Sequence, residues 1–475
     1  MSGFSTLNTA RTALSAQQRG IDVTGQNIAN VNTDGYSRQR ADLEAIGGST
    51  IPAFYSKSPG IGQGVDADTV TRIRDAFLEG RAHQEYSTNA RLTVENDSIE
   101  LVEQAFREPG DTGVQSLLSK MWAGWGDVAN QPQDLAARSQ VLQRLETLVG
   151  GLHASQSSLD GQWNQTRENL DVVVSDVNAA ATSIAELNRA IKRANQSEMP
   201  ANELTDRRDS LVMKLAESVG ATVRQGDFGV VDVVVGGMTL VAGSTANLLK
   251  VAGSNDPTDA KGTAIVPPVG APRIVTATGG YGVQAGGKVA GQLNTLNSII
   301  PTYRDKLDAI AVDLASTLNG GHTAGFDLDG NPGQPLLDSS LGPITAASIR
   351  VAITDPKQVA ASSVAPGATG AALDNDNADK IGQLRLSTTG VDANYRQMIV
   401  DLGVQGSVTA RNLEIQQVVT TQVDNSRDAV AGVNIDEEMT NMMSFQHAYS
   451  AASRLVTAVD EMLDQLINRT GLVGR

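Results

Sequence analysis

Between Asp134 and about Asn195 apolar side chains return at intervals of three and four with hardly a break. Leu145, Val149, Leu152, Leu159, Trp163, Leu170, Val173, Val177, Ala180, Ile184, Leu187 and Ile191 keep the pattern, and only Gln156 and Thr166 are polar. That period belongs to a helix. A helix of about sixty residues is roughly 90 Å long, too long for a compact domain to enclose. The chain is therefore expected to be an elongated, multidomain α+β molecule built around a rod.

Other helical runs flank the rod. Arg72 to Arg107 reads as a helix, weakened at Gly80, ended by Pro109-Gly110 and buried through Leu92, Ile99, Val102 and Phe106. "GVQSLLSKMWAGWGDVAN" carries Trp122 and Trp125 on one face; with Leu117, Leu118 and Met121 beside them they are core anchors rather than a stacking platform. After Pro200, "ANELTDRRDSLVMKLAESVG" reads as a shorter helix with Leu204, Leu211 and Leu215 inward. At Gly220 the texture changes to Val, Thr and Gly with period-two alternation in "VVDVVVGGMTLVAG", which predicts strands. Helix returns from Val289 to Asn319, kinked or divided at Pro301. Gly320 to about Asp392 reads as loop and short strand, and Tyr395 to the end as helix. The β parts are insertions between helices that leave and come back, which places both termini at one end. The expected divisions are 1–70 with 405–475 as a terminal core, and 71–219 with 288–320 and 393–430 as a long helical bundle. An inserted β domain at 220–287 and a small mixed segment at 321–392 complete them.

The two ends carry matching seams. Leu7, Leu14, Ile21 and Ile28 recur every seventh residue, with the weaker Ala10, Gln17, Thr24 and Val31 between them. "GQNIANVNTDGYSRQR" then ends the helix, since Asn, Asp and Gly suit a left-handed cap. At the other end Met442, Phe445, Tyr449, Ala452, Val456, Val459, Leu463 and Leu466 alternate at three and four, behind Asp436, Glu437 and Glu438 at the helix start and with Gly471 as a cap beyond. The candidate assembly interface is Leu7, Leu14, Ile21, Ile28 and Val31 against Met442, Phe445, Tyr449, Val456, Val459, Leu463 and Leu466. Neither helix alone buries much, so both are expected to order with a partner.

Chemistry finds few footholds. With 37 Lys and Arg against 53 Asp and Glu the chain carries −16, which opposes nucleic acid and anionic membranes as partners. There is no Cys, hence no disulfide and no thiolate metal site. The first thirty residues lack the apolar run of a secretory signal peptide, and Gly229 to Gly243, interrupted by Asp232, is too short to span a bilayer. "GVQAGGKV" imitates a phosphate loop but has Val289 where the magnesium-binding hydroxyl belongs. "DLDGN" imitates a calcium loop, but Pro332 sits where Gly is required and Asp338 where a bidentate Glu is. No catalytic, cofactor-binding or metal-binding residue is assigned, and no enzyme activity is expected.

"NIANVNTDGYSRQR" near the start and "NMMSFQHAYSAASRLVTAVDEMLDQLINR" near the end resemble the paired signatures of the bacterial flagellar axial proteins. Within that superfamily "VTRIRDAFLEGR", "LSKMWAGWGDVANQPQDLAARSQVLQRLETL", "ANELTDRRDSLVMKLAE", "NGGHTAGFDLDGNPG" and "AGVNIDEEMTNMMSFQHAY" resemble the hook-associated protein 1 family. The similarity covers roughly 1–219 and 288–475; the insertion Ala221 to Gly287 carries no matching motif. The resemblance implies a structural subunit exported by the flagellar type III apparatus to the cell exterior. It would form a ring of its own copies between the hook protein and the next junction protein leading to flagellin. A cytoplasmic chaperone would hold the C-terminal helix before export, and no nucleic acid, membrane insertion or cofactor is implied. A hook or rod subunit would share both ends, but the long helical domain and "ELTDRRDSL" argue against one; the other alternative is a structural scaffold that displays a binding module in the β insertion, 220–287. Arg38 and Arg40 would meet adjacent subunits or be solvated.

Overall fold

The computed structural model describes residues 3–33, 35–47, 62–259, 270–340, 342–365 and 374–465. Helix α1 (Gly3–Ala29) leads into short strands β1 (Gln39–Ala41), β2 (Glu44–Ile46), β3 (Gly64–Asp66) and β4 (Val70–Arg72). These pair antiparallel as β1 with β4 and β2 with β3. Helix α2 (Ala76–Phe106) starts four residues later than its periodicity suggested. Arg72 closes β4, and the Asp75 carboxylate caps the helix by accepting from the amides of Phe77 and Leu78. Helix α3 (Val114–Asn130) buries Trp122 and Trp125, as expected of core anchors.

The rod is present as α4 (Leu135–Gln196), capped by Asp134. Its buried stripe drifts with length. Leu145, Val149, Leu152, Leu159, Trp163 and Leu170 lie where the alternation puts them, but further on Val174, Ala181 and Asn188 turn fully inward instead of Val173, Ala180 and Leu187. A straight helix has 3.6 residues per turn, so a strict seven-residue pattern slips around it. Arg167, the neighbour of the expected Thr166, is buried for the same reason.

Helix α5 (Asn202–Val219) ends at Gly220, whose φ of 70° favours glycine. Strands β5 (Thr222–Gln225), β6 (Val231–Val235), β7 (Met238–Ala242) and β8 (Thr245–Ala246) follow as an antiparallel sheet in that order. Gly236 and Gly237, both at positive φ, make the β6–β7 turn. A second hairpin joins β9 (Leu249–Ala252) to β10 (Arg273–Thr276). Two asparagines of α4 hold this region to the rod. Asn178 donates to Leu249 O and accepts from Leu249 N, both at 2.8 Å, and Asn188 donates to Val231 O and Gly243 O at 2.7 Å. The apolar core runs unbroken from the helices into Val233, Val235, Leu240 and Ile274.

Helix returns as α6 (Gly287–Asn294), a π turn over Thr295–Ile299, and α7 (Ile300–Thr323). Pro301 accounts for the wider turn. The Ile300 amide reaches back to Thr295 O, and Pro301 has no N–H to offer Leu296 O. The Trp163 indole supplies the missing donor, bonding Leu296 O at 3.0 Å inside the core. The kink is thus locked to the rod by one indole.

Between α7 and the last helices come β11 (Leu337–Ser339), paired with β12 (Ile349–Val351), and α8 (Asp376–Gln383). Loop was expected where α8 lies; at eight residues it is too short for periodicity to show. His322 at the end of α7 pins this segment. Its Nδ1 donates to Gln334 O at 2.5 Å and its Nε2 accepts from the Ala360 amide at 2.8 Å, so the ring is neutral. Burial pushes its pKa down to about 4, against the pull of the Gln334 carbonyl. "DLDGN" is a tight turn in which Asp327 accepts from the Asn331 amide. In the other decoy Gly287, at a φ of 58°, lies against the backbone of Glu217, and its amide donates to Ser87 Oγ. Finally α9 (Val391–Ala431) runs antiparallel to α2, and α10 (Ile435–Asp464) returns along α1.

Two measurements test this frame. Trp163→Phe removes the donor to Leu296 O and is expected to cost about 1–3 kcal/mol in denaturant unfolding. In a Pro301→Ala background, where the helix regains its own N–H, the same substitution should cost less; equal costs in both would break the link. His322 is neutral when folded, whereas the unfolded ring titrates near its ordinary 6.5. The unfolded state therefore takes up the proton first, and stability is lost as pH falls from about 6.5 towards about 4, by up to roughly 3 kcal/mol. His322→Gln should flatten the stability–pH curve in that window and leave its slope above pH 7 unchanged.

Candidate assembly interface

The helices at the two ends of the chain pack along each other, as their seams predicted. The closest contact, however, uses small residues. Ala10, Ala16, Val23 and Thr24 of α1 are buried, and Gly20 faces the Phe445 ring so closely that a Cβ there would stand 2.7 Å from it. Leu7, Leu14, Ile21, Ile28 and Val31 flank this seam half-buried, as do Met442, Phe445, Val456 and Leu463 of α10, while Val459 is fully buried. Tyr449 is 39% exposed, and Ala448 takes the inward place instead. Leu466 and Gly471 lie outside the described residues. Small side chains let two backbones approach closely, which leaves the larger ones along the flanks.

Where α1 ends, the polar stretch that follows it becomes a clamp. Asn27 is the pivot. Its amide nitrogen donates to Gln39 O and its amide oxygen accepts from Gln39 N, so α1 is bonded to β1 like a neighbouring strand. The same side chain accepts from Tyr36 OH and donates to Glu438, each at 2.9 Å. Burial and the nearby Asp206, Glu438 and Glu203 carboxylates push the Tyr36 phenol up to about 12, which keeps it a donor. Glu438, with its side chain 3% exposed, also receives Arg38 through Nε at 2.8 Å and Nη2 at 2.7 Å. Arg38 further reaches Glu437 at 3.2 Å, and its backbone amide donates to Ala431 O at the end of α9. Arg38 is therefore paired within its own chain, with 19% of its side chain still exposed. Arg40 is exposed and pairs with Asp42 of its own chain at 2.9 Å.

The clamp extends into the helical bundle through "ELTDRRDSL". Ser37 Oγ donates to Asp206 at 2.8 Å, and Arg72 of β4 bonds both Asp206 and Asp209. Arg74 also bonds Asp209 and meets Glu79 at 2.9 Å; Arg427 of α9 meets Glu79 at 3.2 Å. Burial works against the Asp209 charge, but Arg208, Arg72 and Arg74 outweigh it and hold its carboxyl below the usual range. On one side an open cleft of about 1180 Å³ separates Arg19, Asp22 and Gln26 of α1 from Glu186 and Leu187 of α4 and from Arg207 of α5.

Sequence reasoning missed Asn27, Tyr36, Ser37, Asp206, Asp209 and Glu438 as a group. The one available signal was Asp206 and Arg208 standing where α5 should be apolar. Each of these carboxylates is bonded to a guanidinium, amide or hydroxyl partner. Among the described residues no group of His, Asp or Glu is arranged to hold a metal, and no helix is long and apolar enough to cross a membrane.

Three comparisons bear on the whole. The flagellar hook-associated protein FlgK helical domain matches residues 99–337. The flagella basal body rod protein family matches 7–36, and the C-terminal region of the flagellar basal body rod FlgEFG proteins matches 416–469. Flagellar hook-associated protein 1 of Bacillus subtilis is 29% identical over the full length of both chains. Its Escherichia coli namesake is 24% identical over 98% of this chain and 99% of its own. The structure of the flagellar hook junction protein FlgK from Burkholderia pseudomallei shares the fold with a TM-score of 0.62. It is 16% identical and covers 74% of this chain and all of its own.

Removing Glu438 should loosen the ends alone. Glu438→Ala strips Arg38 and Asn27 of a buried acceptor, and the expected cost is about 3 kcal/mol, the lower part of the range for a broken buried pair, because Arg38 keeps some water. Hydrogen exchange should quicken across 3–29 and 435–464 while α4 stays protected. Unchanged exchange in α1 would show that the clamp does not hold it.

Proposed function

This chain belongs to the flagellar hook-associated protein FlgK family, and from that premise we propose that it forms the junction layer between hook and filament as a structural subunit of the flagellum. The observation that carries this reading is the pairing of the two ends, with large apolar residues left half-covered along both flanks. Leu7, Leu14, Ile21 and Ile28 on one helix and Met442, Phe445, Val456 and Leu463 on the other are the surfaces through which copies pack in a ring. The ring contacts the hook protein on one side and the next junction protein, leading to flagellin, on the other. The chain reaches the cell exterior through the flagellar type III apparatus, and a cytoplasmic chaperone covers the C-terminal helix until then. Its work is packing, not catalysis. Full burial of a large apolar side chain is worth roughly 1.5–3 kcal/mol, and each flanking residue has part of that still to gain.

In a strain lacking the chain, electron microscopy should show bare hooks and the medium should contain flagellin. Missing hooks would move the role inward along the axis, and intact filaments would refute it. Leu463→Asp should give the bare-hook outcome with the central bundle folded, as read by circular dichroism of the purified chain; normal motility would refute packing through α10.

A further inference from the structure

Helix α9 carries a second seam on the side away from the bundle. Its inner face packs on α2 through Leu402, Gly406, Leu413, Gln416 and Val423, at intervals of three, four and seven. Past Gln405, whose side chain receives Tyr303 OH, the side-chain bonds from α9 to another helix run to α2, at Gln416, Asp424 and Arg427. Two residues round from the inner face, Val400, Val404, Val408, Ile415 and Val418 are 53–66% exposed. From 404 they follow a heptad whose one break, Arg411, is also exposed. A single helix apolar on two opposite faces is patterned to lie between two neighbours, and β-branched residues seven apart, as at 408 and 415, suit a helical one.

Charge says which neighbour. The chain is −16, so copies repel wherever carboxylates meet. Residues 402–423 hold Glu414 and Arg411 as their only charges and are neutral. They form a strip along which like-charged copies can touch. The strip also continues through 432–434 into α10, the helix assigned above to subunit packing. Its size is informative too. From 400 to 418 it is about 27 Å long and ~10 Å wide. That is about 300 Å², against about 800 Å² per partner in a stable interface. It cannot hold a pair by itself, but it can add to contacts made by the ends.

We propose that the outer face of α9, Val404 through Val418, packs against a neighbouring copy of this chain in the assembled flagellum, as an interface separate from the paired ends. This rests on the junction reading. The test uses full-length chain in its own cells with the photo-reactive amino acid p-benzoylphenylalanine at position 408, irradiated in isolated flagella. The expected product has twice the 49.7 kDa mass of the chain. A product with a different flagellar protein, or none while the chain is present in the flagella, overturns this interface alone. Absence of the unsubstituted chain from isolated flagella overturns the junction reading with it. In a second arm Val408→Glu with Ile415→Glu should lower the number of attached filaments at least tenfold. The purified variant should melt where the parent does, because both sites are exposed. Normal filament numbers would overturn the proposal.

Discussion

The Asn27 amide against the Glu438 carboxylate, 411 residues apart, is the contact on which the terminal half of the molecule depends. Closing so long a loop from an unfolded chain would be slow, although its entropic cost grows only with the logarithm of length. The bundle removes the difficulty. Once α2 and α9 lie antiparallel, the segment entering α2 and the segment leaving α9 are already side by side. Ile73 N then bonds Arg38 O, and Arg38 N bonds Ala431 O. The ends need only find each other locally.

A long helix in a small bundle must be held at intervals, and α4 is held by polar residues as much as by its apolar stripe. Asn178 and Asn188 hold the inserted strands, Trp163 the π turn, and Arg138 the segment after β12 through Val359 O. Each polar group satisfies a backbone group that would otherwise be buried without a partner, where the cost of an orphan exceeds the gain from the bond. These residues make the arrangement specific, and the apolar stripe makes it stable.

This division explains what could be read in advance. Long helices, the β insertion, the core tryptophans and the pairing of the ends follow from periodicity and composition, which depend on local neighbours. The α4 stripe was misplaced past Leu170 because a seven-residue template slips on a 3.6-residue helix. The three-four alternation puts Tyr449 inward, yet Tyr449 is exposed and Ala448 takes the inward place beside Phe445. The clamp was invisible because its members are scattered from Asn27 to Glu438 and each alone looks like an ordinary turn or surface residue. Arg38 illustrates the limit: its partners are set by where α9 ends, which no local pattern records.

The clamp and the outer face of α9 solve one electrostatic problem in two ways. A polymer of chains at −16 must bring copies together against their own repulsion. At the clamp, Arg38, Arg72, Arg74, Arg208 and Arg427 are set among Glu79, Asp206, Asp209, Asp424, Glu437 and Glu438, so the carboxylates are almost neutralised inside one chain. Along α9 the charges are simply left out. In the proposed array copies would meet through apolar side chains whose partial burial in one chain leaves free energy to be gained. Strips of a few hundred Å² would suffice in such an array, where each subunit would use several at once.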